Sequence, residues 1–190
     1  EELPEAEEYI CSRNGVDFIP SSMVLSAVDA KLRLEMGAEK MLATILEPLR
    51  ERYDAIIIDT APTFGALNIN AMAAADEVII TVNPQLLAMM GLQDFLKTVR
   101  KIKNRVNENL NVAGILLTMC DARTNLCKVI TEQVIDTFEG KIRIFNSKIP
   151  NTVKVGESIY YSEPLLEYAP GCKACKAYEN LAKELSGYEE

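Results

Sequence analysis

Apolar runs too short to be helices set the limits on what this chain can become. Ala55–Ile58, Glu77–Val82 and Val112–Met119 are nearly continuous in Ile, Val and Leu, not alternating with polar residues. Strands of that kind are buried on both faces, as happens in parallel sheets covered by helices on each side. Segments of helical period separate them. After Val82, Leu92, Phe95, Leu96, Val99, Ile102 and Val106 recur on one face, while Lys97, Arg100, Lys101 and Lys103 fall mainly on the other. The spacing also predicts helices over Ala66–Ala75, about Asn125–Phe138, Val153–Ile159 and roughly 172–186. A helical stretch over 24–52 is interrupted near Gly37 and kinked at Pro48. Two further short strands are expected at Val16–Pro20 and Ile142–Phe145. The expected fold is α/β: three layers, a mainly parallel sheet flanked by helices, in one domain over 1–190 with a loose acidic lead-in at 1–14.

Composition removes several chemistries. The 190 residues contain no His, which rules out Ser-His and Cys-His catalysis and imidazole zinc sites. No apolar run approaches the roughly 20 residues that span a bilayer, and the acidic first residues are the reverse of a signal peptide. Five Cys, an odd number, point to reduced thiols and a cytoplasmic setting. The net charge of −8 argues against wholesale binding of nucleic acid. The charge is uneven, however: Lys97–Lys154 holds eleven Lys/Arg against five Asp/Glu. That stretch is either a polyanion surface or an ordinary solvated helix face.

Tyr53–Gly65 carries the chemistry. Its apolar run reads as a short buried strand with Asp59 at the carboxyl end, followed by a loop with Pro62 and Gly65. Ligands of open α/β sheets sit beyond the carboxyl ends of the strands. A carboxylate there holds hydrated Mg²⁺ beside a phosphate in nucleotide-binding folds. Asp59 would equally serve to cap the following helix or turn.

Three more segments turn class into family: Ala88–Leu92, Gly114–Leu126 (with Leu117-Thr118-Met119 and Asp121-Ala122-Arg123-Thr124-Asn125) and Ile149–Glu157. Together with Tyr53–Gly65 they resemble the ParA/Soj-type partition ATPases, relatives of MinD with a deviant phosphate loop, from about Gly15 to Leu185. The resemblance implies a P-loop NTPase-like ATPase that dimerises on ATP and Mg²⁺ and binds DNA without sequence preference. It also implies release by a ParB-type partner and a role in positioning plasmids or chromosomes, in the bacterial cytoplasm and on the nucleoid. On this resemblance Asp59 holds Mg²⁺ through water. Met119, Asp121 and Pro150 fall near the adenine, and Arg123 and Lys154 fall on DNA-contacting positions. Arg123 has a simpler alternative, neutralising Asp121 two residues away.

The departures matter as much. None of the nine Gly stands in a Gly-x-x-x-x-Gly-Lys-Ser/Thr context, the loop whose N–H groups cradle phosphates. The expectation is therefore a C-terminal two-thirds lacking the first strand and phosphate loop, unable to hydrolyse ATP alone, with an unpaired edge beside the Asp59 strand. Ala61 stands where the family commonly has a first proline, and Asn151 and Lys154 stand where two arginines are usual.

Cys172 and Cys175 form a Cys-x-x-Cys that supplies two metal ligands, or else packs as small filler. Met89 and Met90 read as core packing, and the acidic tail after Ala182 argues against membrane anchoring. Two rival functions follow from these features: a nucleotide-free interaction module of the same fold, and an Fe–S carrier using Cys172 and Cys175.

Overall fold

A computed structural model of the chain describes residues 6–61 and 65–187. They fall into two compact units, Glu1–Asp76 with Val99–Leu110, and Glu77–Thr98 with Asn111–Glu190.

The first unit opens with α1 (Ala6–Tyr9) and an antiparallel hairpin of β1 (Cys11–Arg13) and β2 (Val16–Phe18). The hairpin turns at Asn14-Gly15, both with positive φ, as a tight turn with right-handed strand twist requires. The expected long helix is broken into α2 (Leu25–Leu32), a left-handed Gly37, α3 (Met41–Leu46) and a 3₁₀ turn at Glu47–Leu49 that accommodates Pro48. Next comes α4 (Ala66–Ala74), within one residue of expectation. Leu46, Leu49 and Ala74 form the core here, with Tyr9, Leu42, Tyr53 and Ile58 against it. Asn107 closes the end of α4, donating to the carbonyl oxygens of Met72 at 3.0 Å and Ala75 at 2.7 Å. Those carbonyls have no partner within their own helix.

The second unit is the layered part. Strands β3 (Glu77–Val82), β4 (Asn111–Cys120) and β5 (Ile144–Pro150) form a parallel sheet in the order β3-β4-β5. Helix α5 (Leu86–Arg105) begins in this unit, and α6 (Asn125–Phe138) returns the chain from β4 to β5. On one face Ile80, Val82, Ile115 and Leu117 pack with Leu92, Ile130, Val134 and Phe138. The four-residue spacing of Ile130, Val134 and Phe138 puts them in one stripe of α6, each worth about 2 kcal/mol when fully buried. On the other face Leu116, Phe145 and Ile149 pack against Leu181 of α9 (Lys173–Ser186). Between lie α7 (Val153–Tyr160) and α8 (Leu165–Tyr168). The three-layer α/β arrangement is thus present, and β5 runs five residues beyond the predicted strand end.

One expectation fails. Ala55–Ile58 is not a buried strand: residues 55–60 have no regular structure, Ile57 is 93 % exposed and Ile56 is exposed. An apolar run becomes a strand only when another strand takes up its N–H and C=O groups. Among the described residues none does. Pro62 lies outside the described residues, and so do the side chains of Met89 and Met90. Among the described residues no helix is long and apolar enough to cross a membrane.

Candidate functional site

The carboxyl ends of β4 and β5 meet. Cys120 is in register with Pro150, and the N–H of Asn151 donates to the Cys120 carbonyl at 2.9 Å. Met119, Asp121 and Pro150, three residues of the expected adenine site, are therefore gathered at one edge of the sheet. Met119 has a left-handed backbone (φ 54°) and an exposed side chain. For a residue other than glycine that conformation costs about 1 kcal/mol. The Nδ2 of Asn83, just past β3, reaches the Met119 sulfur at 3.8 Å.

A tight turn follows. Thr124 donates to the Asp121 carbonyl oxygen from both its N–H and its hydroxyl, each at 3.0 Å, and its hydroxyl oxygen accepts from the Cys127 N–H to start α6. Arg123 turns back on Asp121: Nε to Oδ1 is 2.9 Å and the terminal nitrogen to Oδ2 is 2.8 Å. The side-chain bonds from Arg123, then its N–H, hold the Asp121 carboxyl at about 2, below the ordinary aspartate range. A carboxyl so depressed adds stability that is complete above the ordinary value near 3.8 and fades as pH falls through the folded value. An NMR titration of the Asp121 side chain should therefore show a midpoint near 2, moving up toward the ordinary value in Arg123→Ala.

Lys154, near the start of α7, is also engaged. Its Nζ donates to Glu157 Oε2 at 2.8 Å and stands 5.6 Å from the centre of the Tyr168 ring. Solvent-exposed pairs of this kind are weak, so either cation can be drawn off by a stronger anion.

Asp59 belongs to the other unit and is exposed. Its alternative role at the next helix is taken by a residue that sequence reasoning missed. Asp29 Oδ1 accepts the N–H of Leu67 at 3.0 Å in the first turn of α4, while Arg33 donates to Oδ2 at 2.8 Å. A Cβ on Gly65 would lie 2.4 Å from Oδ1, so a larger residue there would have to displace the Asp29 carboxylate from the start of α4. The Leu67 N–H, then Arg33, keep the Asp29 carboxyl below its ordinary range. Only the i,i+4 spacing of Asp29 and Arg33 was visible beforehand; their attachment 38 residues away was not. Beside them Leu32, Arg33, Glu39, Gly65, Ile69 and Asn70 line a cleft of about 350 Å³.

Comparison with known proteins places these features in a lineage. A family model described as an AAA domain matches residues 3–112. The sporulation initiation inhibitor protein Soj of Bacillus subtilis is 36 % identical over 171 residues, 90 % of this chain and 67 % of that protein. The chain belongs to the ParA/Soj-type partition ATPases. The chromosome partitioning protein ParA of Caulobacter vibrioides is 31 % identical over 177 residues, covering 92 % of this chain and 66 % of that one. Cobyrinic acid a,c-diamide synthase from Mycobacterium smegmatis, solved with bound ADP and magnesium, superposes with a TM-score of 0.74 at 26 % identity. That match covers 97 % of this chain and 69 % of the synthase. Apo McdA from Cyanthece gives 0.83 at 19 % identity over 96 % and 73 %, a likeness of fold alone. The chain spans about two thirds of the length of the first curated partition relatives it matches.

Proposed function

We propose that this chain serves the ParA-type partition function, carried in its family by an ATP-dependent homodimer on nonspecific DNA that a ParB-type partner stimulates, in the bacterial cytoplasm, without hydrolysing ATP by itself. The observation that carries the reading is the meeting of β4 and β5, which gathers Met119, Asp121 and Pro150 at the sheet edge where α/β folds take ligands. These three residues hold the adenine end of ATP. Asp59 holds Mg²⁺ through water. Its carboxylate is exposed, as a ligand that acts through water requires. Mg²⁺ ordinarily keeps most of its waters and takes one or two carboxylates plus phosphates.

Arg123 and Lys154 contact phosphate. Each would exchange its present carboxylate for a DNA phosphate, releasing counterions as it does so. The 190 residues hold no Gly-x-x-x-x-Gly-Lys-Ser/Thr cradle, so by themselves they bind Mg·ATP weakly and do not hydrolyse it.

Two measurements test the reading. Calorimetric titration of this chain with Mg·ATP should give a dissociation constant no tighter than about millimolar; micromolar binding would contradict the missing cradle. In DNA retardation over a salt series, Arg123→Glu should weaken binding and lower the salt slope by about 1. Asp121→Asn, which frees Arg123, should strengthen it. Equal retardation in wild type and both variants would remove Arg123 as a DNA contact. A second reading, a nucleotide-free interaction module, draws support from Ile56 and Ile57, whose exposure leaves an apolar segment open to a pairing strand.

A further inference from the structure

The two cysteines at the start of α9 are placed for chemistry with each other. Cys172 is the N-cap of this 14-residue helix, and its sulfur accepts the N–H of Cys175 at 3.2 Å. Cys175 is fully buried, its sulfur 3.0 Å from that of Cys172 and 3.1 Å from the carbonyl oxygen of Ala169. One thiol is thus half-buried and reachable, and the other waits directly behind it, inaccessible to any large reagent. Among the described residues no third Cys, Asp, Glu or His joins them, so a closed metal site is not built. We propose that Cys172 and Cys175 are a redox-active dithiol that exchanges with low-molecular-weight disulfides and closes to an intramolecular disulfide.

The electrostatics favour Cys172 as the attacking group. Burial works against its thiolate, but the hydrogen bonds from the Cys175 thiol and from the N–H groups of Cys175 and Ala174, with the Lys154 cation, outweigh it. Its thiol sits below the ordinary range, while Cys175, donating to it and desolvated, sits above. This is the division of labour expected of a Cys-x-x-Cys at a helix start. Cys120 supplies the contrast: burial, then Cys127, push its thiol up to about 11, leaving almost no thiolate near neutral pH.

The exchange balances. The Cys172 thiolate attacks one sulfur of a disulfide RSSR; a mixed disulfide forms and RS⁻ leaves, taking a proton from water. Cys175 then gives up its proton to solvent and attacks the Cys172 sulfur, expelling the second RS⁻. The two cysteines lose two electrons and two protons in all, and RSSR becomes two RSH. A small dithiol reverses both steps. The proposal stands apart from the nucleotide reading, since it uses none of Asp59, Met119, Asp121 and Pro150 and shares only Lys154 with the DNA reading.

The test is thiol counting after equilibration in glutathione–glutathione disulfide buffers, acid quench and maleimide trapping, with intact mass. Wild type should lose Cys172 and Cys175 together, as a disulfide lighter by two hydrogens on the peptide map, apart from any adduct at the exposed Cys11. Cys172→Ser keeps a capping oxygen, so it should stay folded by circular dichroism and lose no pair of thiols. Cys175→Ser should stop at one glutathione adduct on Cys172. Adduct formation at Cys172 should outpace that at Cys120 by on the order of tenfold or more. Persistence of all five thiols in the most oxidising buffer would overturn the proposal. So would a wild type that halts at the adduct, or a two-thiol loss that survives in Cys172→Ser.

Discussion

Glu184→Ala should lower the unfolding free energy by about 3 kcal/mol, read as a shift in the urea midpoint. The reason lies in an irregular stretch of β5. Between Ile115↔Ile144 and Leu117↔Lys148 the strand takes up two more residues than its partner, and ladder pairing is interrupted there. Two successive N–H groups are left facing α9, and one carboxylate serves both. Glu184 Oε2 accepts from Asn146 at 2.9 Å, while Oε1 accepts from the Ser147 N–H at 2.7 Å and its hydroxyl at 2.5 Å. The side chain is only 11 % exposed, so water replaces it poorly. Glu184→Gln keeps one acceptor oxygen and should cost less, about 1–2 kcal/mol. Burial raises the Glu184 carboxyl, but the bonds from Ser147 and Asn146 outweigh it and hold it below the ordinary range. The stabilisation is therefore complete above ordinary glutamate pH and is lost as pH falls through the folded value. The acid limb of the stability curve should flatten in Glu184→Gln. A loss under 1 kcal/mol in Glu184→Ala would mean that the β5 irregularity does not depend on this side chain.

Gly114→Ala should cost about 2–3 kcal/mol, with Gly114→Val costing more. A Cβ at 114 would lie 2.9 Å from the carbonyl oxygen of Arg143 and 2.9 Å from the ring of Phe145. Neither can move cheaply. The Arg143 oxygen accepts the Ile115 N–H at 2.8 Å, and Phe145 is among the most completely buried side chains of the described residues. A methyl group there must push β5 away from β4 and weaken the pairing that brings Pro150 beside Cys120. Denaturant unfolding reads the cost directly. Exchange protection of the Asn151 amide, which donates to Cys120, reads whether the site edge has loosened. Wild-type stability in Gly114→Ala would show that the strands have slack at this point.

Both variants act on the same feature, the register that aligns the proposed adenine edge. Their effects on ligand binding should follow their effects on β5.

Elements governed by nearest-neighbour chemistry were legible beforehand. Strand β3 and helix α6 begin and end where their apolar runs and spacing predict. The family, too, was legible, because Gly114–Leu126 and Ile149–Glu157 are local strings whose residue order survives without any knowledge of packing. So was the pairing of Arg123 with Asp121, entertained as the simpler alternative and present as two hydrogen bonds.

What the tertiary structure alone decided are the contacts that join distant parts of the chain. Ala55–Ile58 has the composition of a buried strand, yet burial of an apolar run depends on a partner strand that no local pattern specifies, and Ile57 is left in solvent. Asp29 caps α4 from 38 residues away, and Glu184 satisfies β5 from a similar separation. Neither leaves a periodic signal, because a carboxylate that serves another element's backbone looks, along the sequence, like any charged residue on a helix. Residue order sets which segments can become strands and helices. Which polar groups meet is settled only when the folded chain must pair every donor that it removes from water.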